Sequence, residues 1–275
     1  MKYQEALKEG ETLLFENKIT DYKTDAWLLL SMVTGLNRSG YILAMMDEMK
    51  EEEYFLYKEA LQKRSQRIPL QHITGEQDFM GLTFKVNEHV LIPRQDTESL
   101  VEEALKVLKP KSTVLDLCTG SGCIVISIVA LGEEVQGTGV DISEEALLVA
   151  RENADRIASD VKLMQGDVLE KIDGRFDCIV SNPPYIRPEV IETLEPEVKE
   201  HEPRIALDGS ADGLVFYRRI SMEAPSHLNE GGWLLFEIGY DQGQEVFDLL
   251  VENGFKDVQV IKDLNGNDRV VKGHL

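Results

Sequence analysis

The chain has 275 residues, 43% of them hydrophobic and 29% charged, and its 29 basic and 50 acidic side chains leave a net charge of −21. This is the profile of an ordinary globular protein long enough for a large and a small domain; no apolar run approaches the roughly 20 residues of a membrane helix, and the acidic start MKYQEALKEGETLLFENK is unlike a targeting peptide, so no membrane association and a cytoplasmic location are expected. So acidic a surface repels a phosphate backbone, which argues against nucleic acid as the direct substrate, and Cys118, Cys123 and Cys178 form no CxxC pair or His-rich cluster, so neither a metal site nor a disulfide framework is expected.

Residues 1–67 read as helical. Apolar positions recur three and four apart around Trp27, Leu28, Leu30 and Val33, Thr24 is available as a helix cap, and Gly35 and Gly40 are expected breaks, which implies a small bundle. Residues 68–94 change character: Pro69, Gly75, Gly81 and Pro93 punctuate an alternating LTFKV run and an apolar VLIP, the pattern of a β-hairpin linker.

Residues 95–275 alternate helix and strand. After the helix TESLVEEALKVL, seven strands are expected at TVLDL, EVQGTGVD, VKLMQGD, FDCIVS, GGWLLFEIG, KDVQVIK and RVVKG, with amphipathic stretches such as SEEALLVARENADRI between most of them. The fold class is therefore α/β, a doubly wound and mostly parallel seven-stranded sheet. Only DLNGND separates the last two strands, too little for a crossover, so they pair as a hairpin and one strand runs antiparallel. Six glutamates between Glu189 and Glu202 read as a solvated acidic face, or alternatively as a docking surface for a basic protein.

Ligands of such sheets bind outside the carboxyl ends of the strands. Here TVLDL runs into Cys118-Thr119-Gly120-Ser121-Gly122, whose glycines permit positive φ and close backbone approach while the hydroxyls offer hydrogen bonds. The second strand ends in Asp141, 19 residues beyond Gly122, the place of a carboxylate that accepts from both ribose hydroxyls. Asp167 and Val168 end the third strand as an acceptor for an exocyclic amine and an apolar flank for adenine. Since TGSGCI is not GxGxxG, the loop resembles the nucleoside-binding loop of class I methyltransferases rather than a pyrophosphate cradle.

The fourth strand runs into Asn182-Pro183-Pro184-Tyr185. Two prolines stiffen the turn and remove its donors, leaving the Asn182 side-chain oxygen and the Pro183 carbonyl to receive the two hydrogens of a planar NH₂ group, with Tyr185 as a flat face to stack on. Aligning such a nitrogen with an activated methyl group addresses the weak nucleophilicity of an amide.

With PLQHITG, LIPRQDTE, DLCTGSGCI, FDCIVSNPPYI, EPRIALDG, LLFEIGYDQG and DLNGNDRV in this order, nearly the whole chain resembles the peptide-chain release factor glutamine methyltransferases. The resemblance implies transfer of a methyl group from S-adenosylmethionine to the glutamine amide of the Gly-Gly-Gln loop of release factors, S-adenosylhomocysteine being the other product. On that reading Asn182, Pro183, Pro184 and Tyr185 hold the glutamine. Residues Cys118 to Gly122, Asp141, Asp167 and Val168, with Asn182, hold the cofactor, and the helical domain grips the substrate. Cys118 departs from the usual glycine. Arg94 reads either as a closure of the pocket mouth or as a structural ion pair, and Glu237 and the Asn-Gly-Asn turn are expected near the site. Glutamine methylation of a ribosomal protein, amino methylation of adenine or guanine in nucleic acid, and a non-catalytic cofactor-binding adaptor are the alternatives.

Overall fold

Apolar residues spaced three and four apart fold the N-terminal segment into α1 (Tyr3–Glu16), α2 (Tyr22–Thr34), α3 (Arg38–Ala44), α4 (Glu51–Ser65) and the short α5 (Leu70–Thr74) in the computed structural model, which describes residues 1–275. Ala6, Leu14, Leu29, Leu30, Tyr57 and Leu61 form their common core. Gly35, at φ 68°, ends α2 as expected. Two details differ from expectation. Gly40 lies inside α3, because the Asn37 side chain accepts from its N–H and starts the helix ahead of it. Thr24 lies inside α2, whose first cap is Asp21.

This compact unit covers Met1–Gly75 and also takes in Glu195–His201, far along the chain. Arg64, buried, stands between Asp25 at 2.7 Å and Glu197 at 2.9 Å, and Arg67 reaches Glu195 and Glu197 at 2.9 and 2.7 Å. The expected acidic face from Glu189 to Glu202 is thus largely committed within the protein: Glu192 pairs with Arg204 and Glu202 with Arg94.

The second unit covers Glu76–Leu194 and Glu202–Leu275. It opens with a hairpin of β1 (Glu76–Phe79) and β2 (Leu82–Lys85), turned by Met80 and Gly81 with positive φ. Phe79 and Phe84 are buried in the sheet's own core, so the hairpin is part of this unit, not a free-standing connector; VLIP forms no strand. The sheet strands are β3 (Thr113–Leu117), β4 (Gln136–Asp141), β5 (Lys162–Gln165), β6 (Phe176–Ser181), β7 (Leu228–Glu237), β8 (Lys256–Lys262) and β9 (Asp268–His274), in the order β5-β4-β3-β6-β7-β9-β8. Pairing is parallel from β5 through β7, and β9 runs antiparallel to both neighbours. The helices are α6 (Glu98–Val107), α7 (Cys123–Leu131), α8 (Glu144–Ile157), α9 (Pro188–Ile191), α10 (Pro196–His201), α11 (Val215–His227) and α12 (Gly243–Glu252), of which α10 belongs to the first unit.

Strand side chains alternate between faces, so Val114 joins a core with Leu100 and Val101 of α6 and Ile124 and Val125 of α7. Leu115 and Leu117 join the opposite core with Tyr217 and Ile220 of α11 and Val246 and Leu250 of α12. The doubly wound, mostly parallel seven-stranded sheet, its one antiparallel strand and the helical N-terminal region are as the sequence pattern predicts; α11, with Pro225 in its last turn, was not anticipated.

Candidate active site

At the carboxyl end of β3 the chain turns through three left-handed residues before α7: Cys118 at φ 60°, Gly120 at φ 55° and Gly122 at φ 79°. Gly122 has a second constraint, since a Cβ there would lie 2.7 Å from Ile126 Cδ1. Cys118 is the one side-chain-bearing residue of the three, which gives the physical reason for a glycine preference at its position. Burial and the nearby Asp141 and Asp116 push its thiol far up, so it stays neutral.

Asp116, fully buried, accepts from the Thr119 hydroxyl at 2.5 Å through Oδ2, while Oδ1 has no partner; burial pushes its carboxyl up to about 7. Asp141 binds the loop itself. Its Oδ2 accepts from Gly120 N–H at 2.8 Å and its Oδ1 from Ser143 N–H at 2.9 Å, and its acidity is reduced by burial. From the other side, Asn153 of α8 donates to the Ser121 carbonyl at 2.9 Å and ties the loop to β2 through Lys85.

These residues open into a cavity of about 270 Å³. Cys118, Thr119, Gly120, Ser121, Asp141, Asp167, Val168, Asn182 and Pro184 line it, together with Arg94, Thr97, Ile142, Pro203, Ile205 and Arg219. The Ser121 hydroxyl is buried without a partner, so an unspent polar group stands in the loop a nucleoside would approach. Gly122, Pro183 and Tyr185 are not in the lining. Gly122 acts through the backbone that starts α7. Asp167 does line the cavity, but its Oδ1 already accepts from Arg219 at 3.0 Å, which leaves the other oxygen as the acceptor for a base.

The Asn182-Pro183-Pro184-Tyr185 turn leaves β6 between β3 and β7, and its surroundings are built to hold it. Ile186 N–H donates to the Leu207 carbonyl and Gly209 N–H to the Ile186 carbonyl, each at 2.9 Å. A Cβ on Gly209 would lie 2.6 Å from Tyr185 Cα, so only glycine permits this approach. Gln242 donates to the Tyr185 carbonyl at 3.2 Å and accepts from Gly239 N–H at 2.9 Å. The Tyr185 ring is not an exposed stacking face at the cavity: it packs on the α11 and α12 core, and its hydroxyl points to Glu237 Oε1 at 3.4 Å. Asn182 directs its amide nitrogen at Thr97 Oγ1, 3.4 Å away, so its oxygen is the opposite end.

Arg94 both lines the cavity and pairs with buried Glu202 at 2.7 Å, so the two readings of it are compatible. The Asn-Gly-Asn turn does not reach the cavity. Asp263 Oδ1 accepts from the N–H groups of Asn265 and Asn267 and shapes the hairpin; Arg269, just beyond, is the residue that reaches inward, to Asp96 at 3.1 Å and the Ile238 carbonyl at 3.3 Å. Thr97, Asn153, Gly209, Arg219 and Gln242 were not singled out from sequence. The closely spaced glycines of LDGSADGL and the lone glutamine in GYDQG are the signals that mark two of them.

A glycine-turned nucleoside loop, a carboxylate ending the next strand and a double-proline acceptor corner, on a seven-stranded sheet with one antiparallel strand, define a methyltransferase. Residues 95–195 match the family model described as Methyltransferase small domain, and residues 5–75 that described as PrmC N-terminal domain. A methyltransferase from Pyrococcus furiosus has a similar fold, with a TM-score of 0.54 at 20% identity over 70% of this chain and 89% of that one. Release factor glutamine methyltransferases from Geobacter sulfurreducens, 43% identical over 95% of this chain and 93% of their own, and from Clostridium botulinum, 43% identical over 99% of both, are similar throughout. The chain belongs to the release factor glutamine methyltransferase family.

Proposed function

We propose that this methyltransferase transfers the methyl group of S-adenosylmethionine to the side-chain amide nitrogen of the glutamine in the Gly-Gly-Gln loop of a peptide-chain release factor. The observation that carries the reading is the sharing of one cavity by the Gly120 loop, Asp141 and the acceptor corner at Asn182 and Pro184. The donor set suits the cofactor: an acid on the second strand for the ribose, an unpartnered Ser121 hydroxyl, and Val168 and Ile142 as apolar flanks. Bound there, S-adenosylmethionine supplies an electrophilic methyl group. Asn182 Oδ1 and the Pro183 carbonyl receive the two amide hydrogens, turning the nitrogen lone pair toward the methyl group instead of its own carbonyl. The apolar walls exclude water, which favours a step in which positive charge is dispersed.

The net charge of −21 supports a protein substrate over a nucleic acid. The test is mass spectrometry of purified release factor incubated with this protein and labelled cofactor. One added methyl group on the Gly-Gly-Gln peptide, absent in a Gln→Ala substrate, is the expected result; label appearing only in tRNA or ribosomal protein would replace this substrate with one of the alternatives. Asn182→Ala is expected to abolish transfer while leaving cofactor affinity within about threefold, since it removes a contact to the substrate.

A further inference from the structure

Helix α11 supplies part of the cavity wall. Its Tyr217, Ile220 and Ala224 are buried in one core with Val168 and Leu169, the residues that follow β5. Phe216 and Arg219, one turn apart, fall on the adjoining face and line the cavity. The preceding Arg218 does not line it, and pairs instead with Asp212 at 2.6 Å. Arg219 meets Asp167 across the same cavity: its Nη1 donates to Asp167 Oδ1 at 3.0 Å, while Oδ2 accepts from no group of the protein. Both side chains are 38% exposed, and an ion pair so open to water adds little to stability. What the pair does fix is direction. The backbone beneath it is also held, since Gly166 N–H donates to the Asp141 carbonyl and Glu170 N–H to the Asp167 carbonyl, each at 3.0 Å. Val168, buried, takes a φ of 57°, which β-branched residues rarely adopt, and its packing against α11 offsets that cost.

We propose that Arg219 is a positioning residue for the cofactor's base, and that its pair with Asp167 makes the site select a 6-amino purine over a 6-oxo purine. This inference rests on the reading that the purine meets Asp167. A guanidinium only donates and a carboxylate only accepts. Arg219 therefore occupies Oδ1, and Oδ2 offers the cavity an acceptor and nothing else. The exocyclic amine of adenine can donate to it, whereas the carbonyl of a 6-oxo purine would set oxygen against oxygen.

The arrangement has a consequence that an isolated carboxylate would not have. In Asp167→Asn the two ends of the side chain differ, and Arg219 can take only the oxygen, so the amide NH₂ is turned to the base. Selectivity should then invert. With Arg219 removed as well, the amide is free to turn and either purine is accommodated. A merely structural Arg219 would leave the preference of Asp167→Asn unchanged.

The experiment is calorimetry of S-adenosylhomocysteine and its 6-oxo analogue S-inosylhomocysteine on wild type, Asp167→Asn, Arg219→Ala, Arg219→Lys, Asp167→Ala and the double variant Asp167→Asn/Arg219→Ala, with circular dichroism to confirm each fold. Wild type should prefer the 6-amino ligand by at least about tenfold, and Asp167→Asn should prefer the 6-oxo ligand by about as much, because a polar group facing its own kind is left unpaired. Arg219→Ala should lose about 3- to 10-fold in S-adenosylhomocysteine affinity, the cost of a carboxylate that must be ordered on binding, and Arg219→Lys should recover most of it. In the double variant the two ligands should bind within about threefold of each other, a coupling that exists only if the two side chains act as a unit. An Asp167→Asn protein that keeps the wild-type preference, or one whose inverted preference survives the loss of Arg219, overturns the proposal while a weakened Asp167→Ala leaves the base contact standing. Undiminished S-adenosylhomocysteine binding by Asp167→Ala overturns the underlying reading of the base site instead.

Discussion

Gln242 donates its side-chain amide to the backbone carbonyl of Tyr185 at 3.2 Å, joining the start of α12 to the last residue of the double-proline turn. The same amide nitrogen reaches the Gly213 carbonyl at 3.3 Å, and its oxygen receives Gly239 N–H. One buried side chain thus fixes three backbone segments that meet behind Asn182.

Replacing Gln242 with alanine should therefore disturb the acceptor corner without touching the nucleoside loop. Leaving those backbone groups unpaired is expected to destabilise the fold by about 1–3 kcal/mol. Chemical denaturation measures that loss, and kcat should fall while calorimetric cofactor affinity holds. An unchanged kcat would show that the turn keeps its shape unaided.

Gly209→Ala tests the same corner by volume. Its Cβ would lie 2.6 Å from Tyr185 Cα, and main chain cannot rotate away as a side chain can. The expected outcome is a folded protein, by circular dichroism, that transfers methyl groups at least about tenfold more slowly, since a displacement of about 1 Å at a reacting group costs up to 10²-fold. Full activity would mean that the Leu207–Gly209 segment can retreat.

Asp141→Ala should weaken S-adenosylhomocysteine binding by about 1–3 kcal/mol, through loss of charge-assisted hydrogen bonds and release of Gly120 N–H from its acceptor. Asp141→Asn should fall between the two. Calorimetry reads both, and undiminished affinity would move the ribose contact elsewhere.

Stability should also depend on pH through Glu237. Its carboxyl is raised from 4.5 to about 7 in the fold, chiefly by burial, so the folded state holds the proton more tightly than the unfolded chain. The associated stability is complete below about pH 4.5 and is lost as pH rises toward 7, on the order of 3 kcal/mol in all. Glu237→Gln cannot titrate. Relative to wild type it should gain that much between pH 4.5 and 8, measured by urea denaturation at each pH; Asp116, also raised to about 7, shifts both proteins alike and cancels in the comparison.

The parts of the fold and site legible in the sequence are those written in consecutive residues. The alternating β3 and β6 strands, the loop at Gly120 and Gly122, Asp141 at a fixed distance beyond it, and the Asn-Pro-Pro-Tyr turn all depend on local backbone chemistry. Gln242, Gly209 and Thr97 depend on pairings across 24 to 85 residues, which no local pattern encodes. Glu195 and Glu197 look like solvent-exposed charge until Arg64 and Arg67, some 130 residues earlier in the chain, neutralise them. Tyr185 misleads for a related reason: an aromatic ring beside a turn suggests a platform, whereas its hydroxyl had a buried acid to meet.

The position of β9 between β7 and β8 means that the strand of this sheet latest in sequence is an interior one. A nascent chain that has made everything before Asp268 still has a slot in its sheet, with backbone donors and acceptors of β7 exposed and Arg269 not yet delivered to Ile238. The sheet is therefore complete only once Asp268–His274 is in place, and removing that strand would split the sheet through its interior instead of trimming its border.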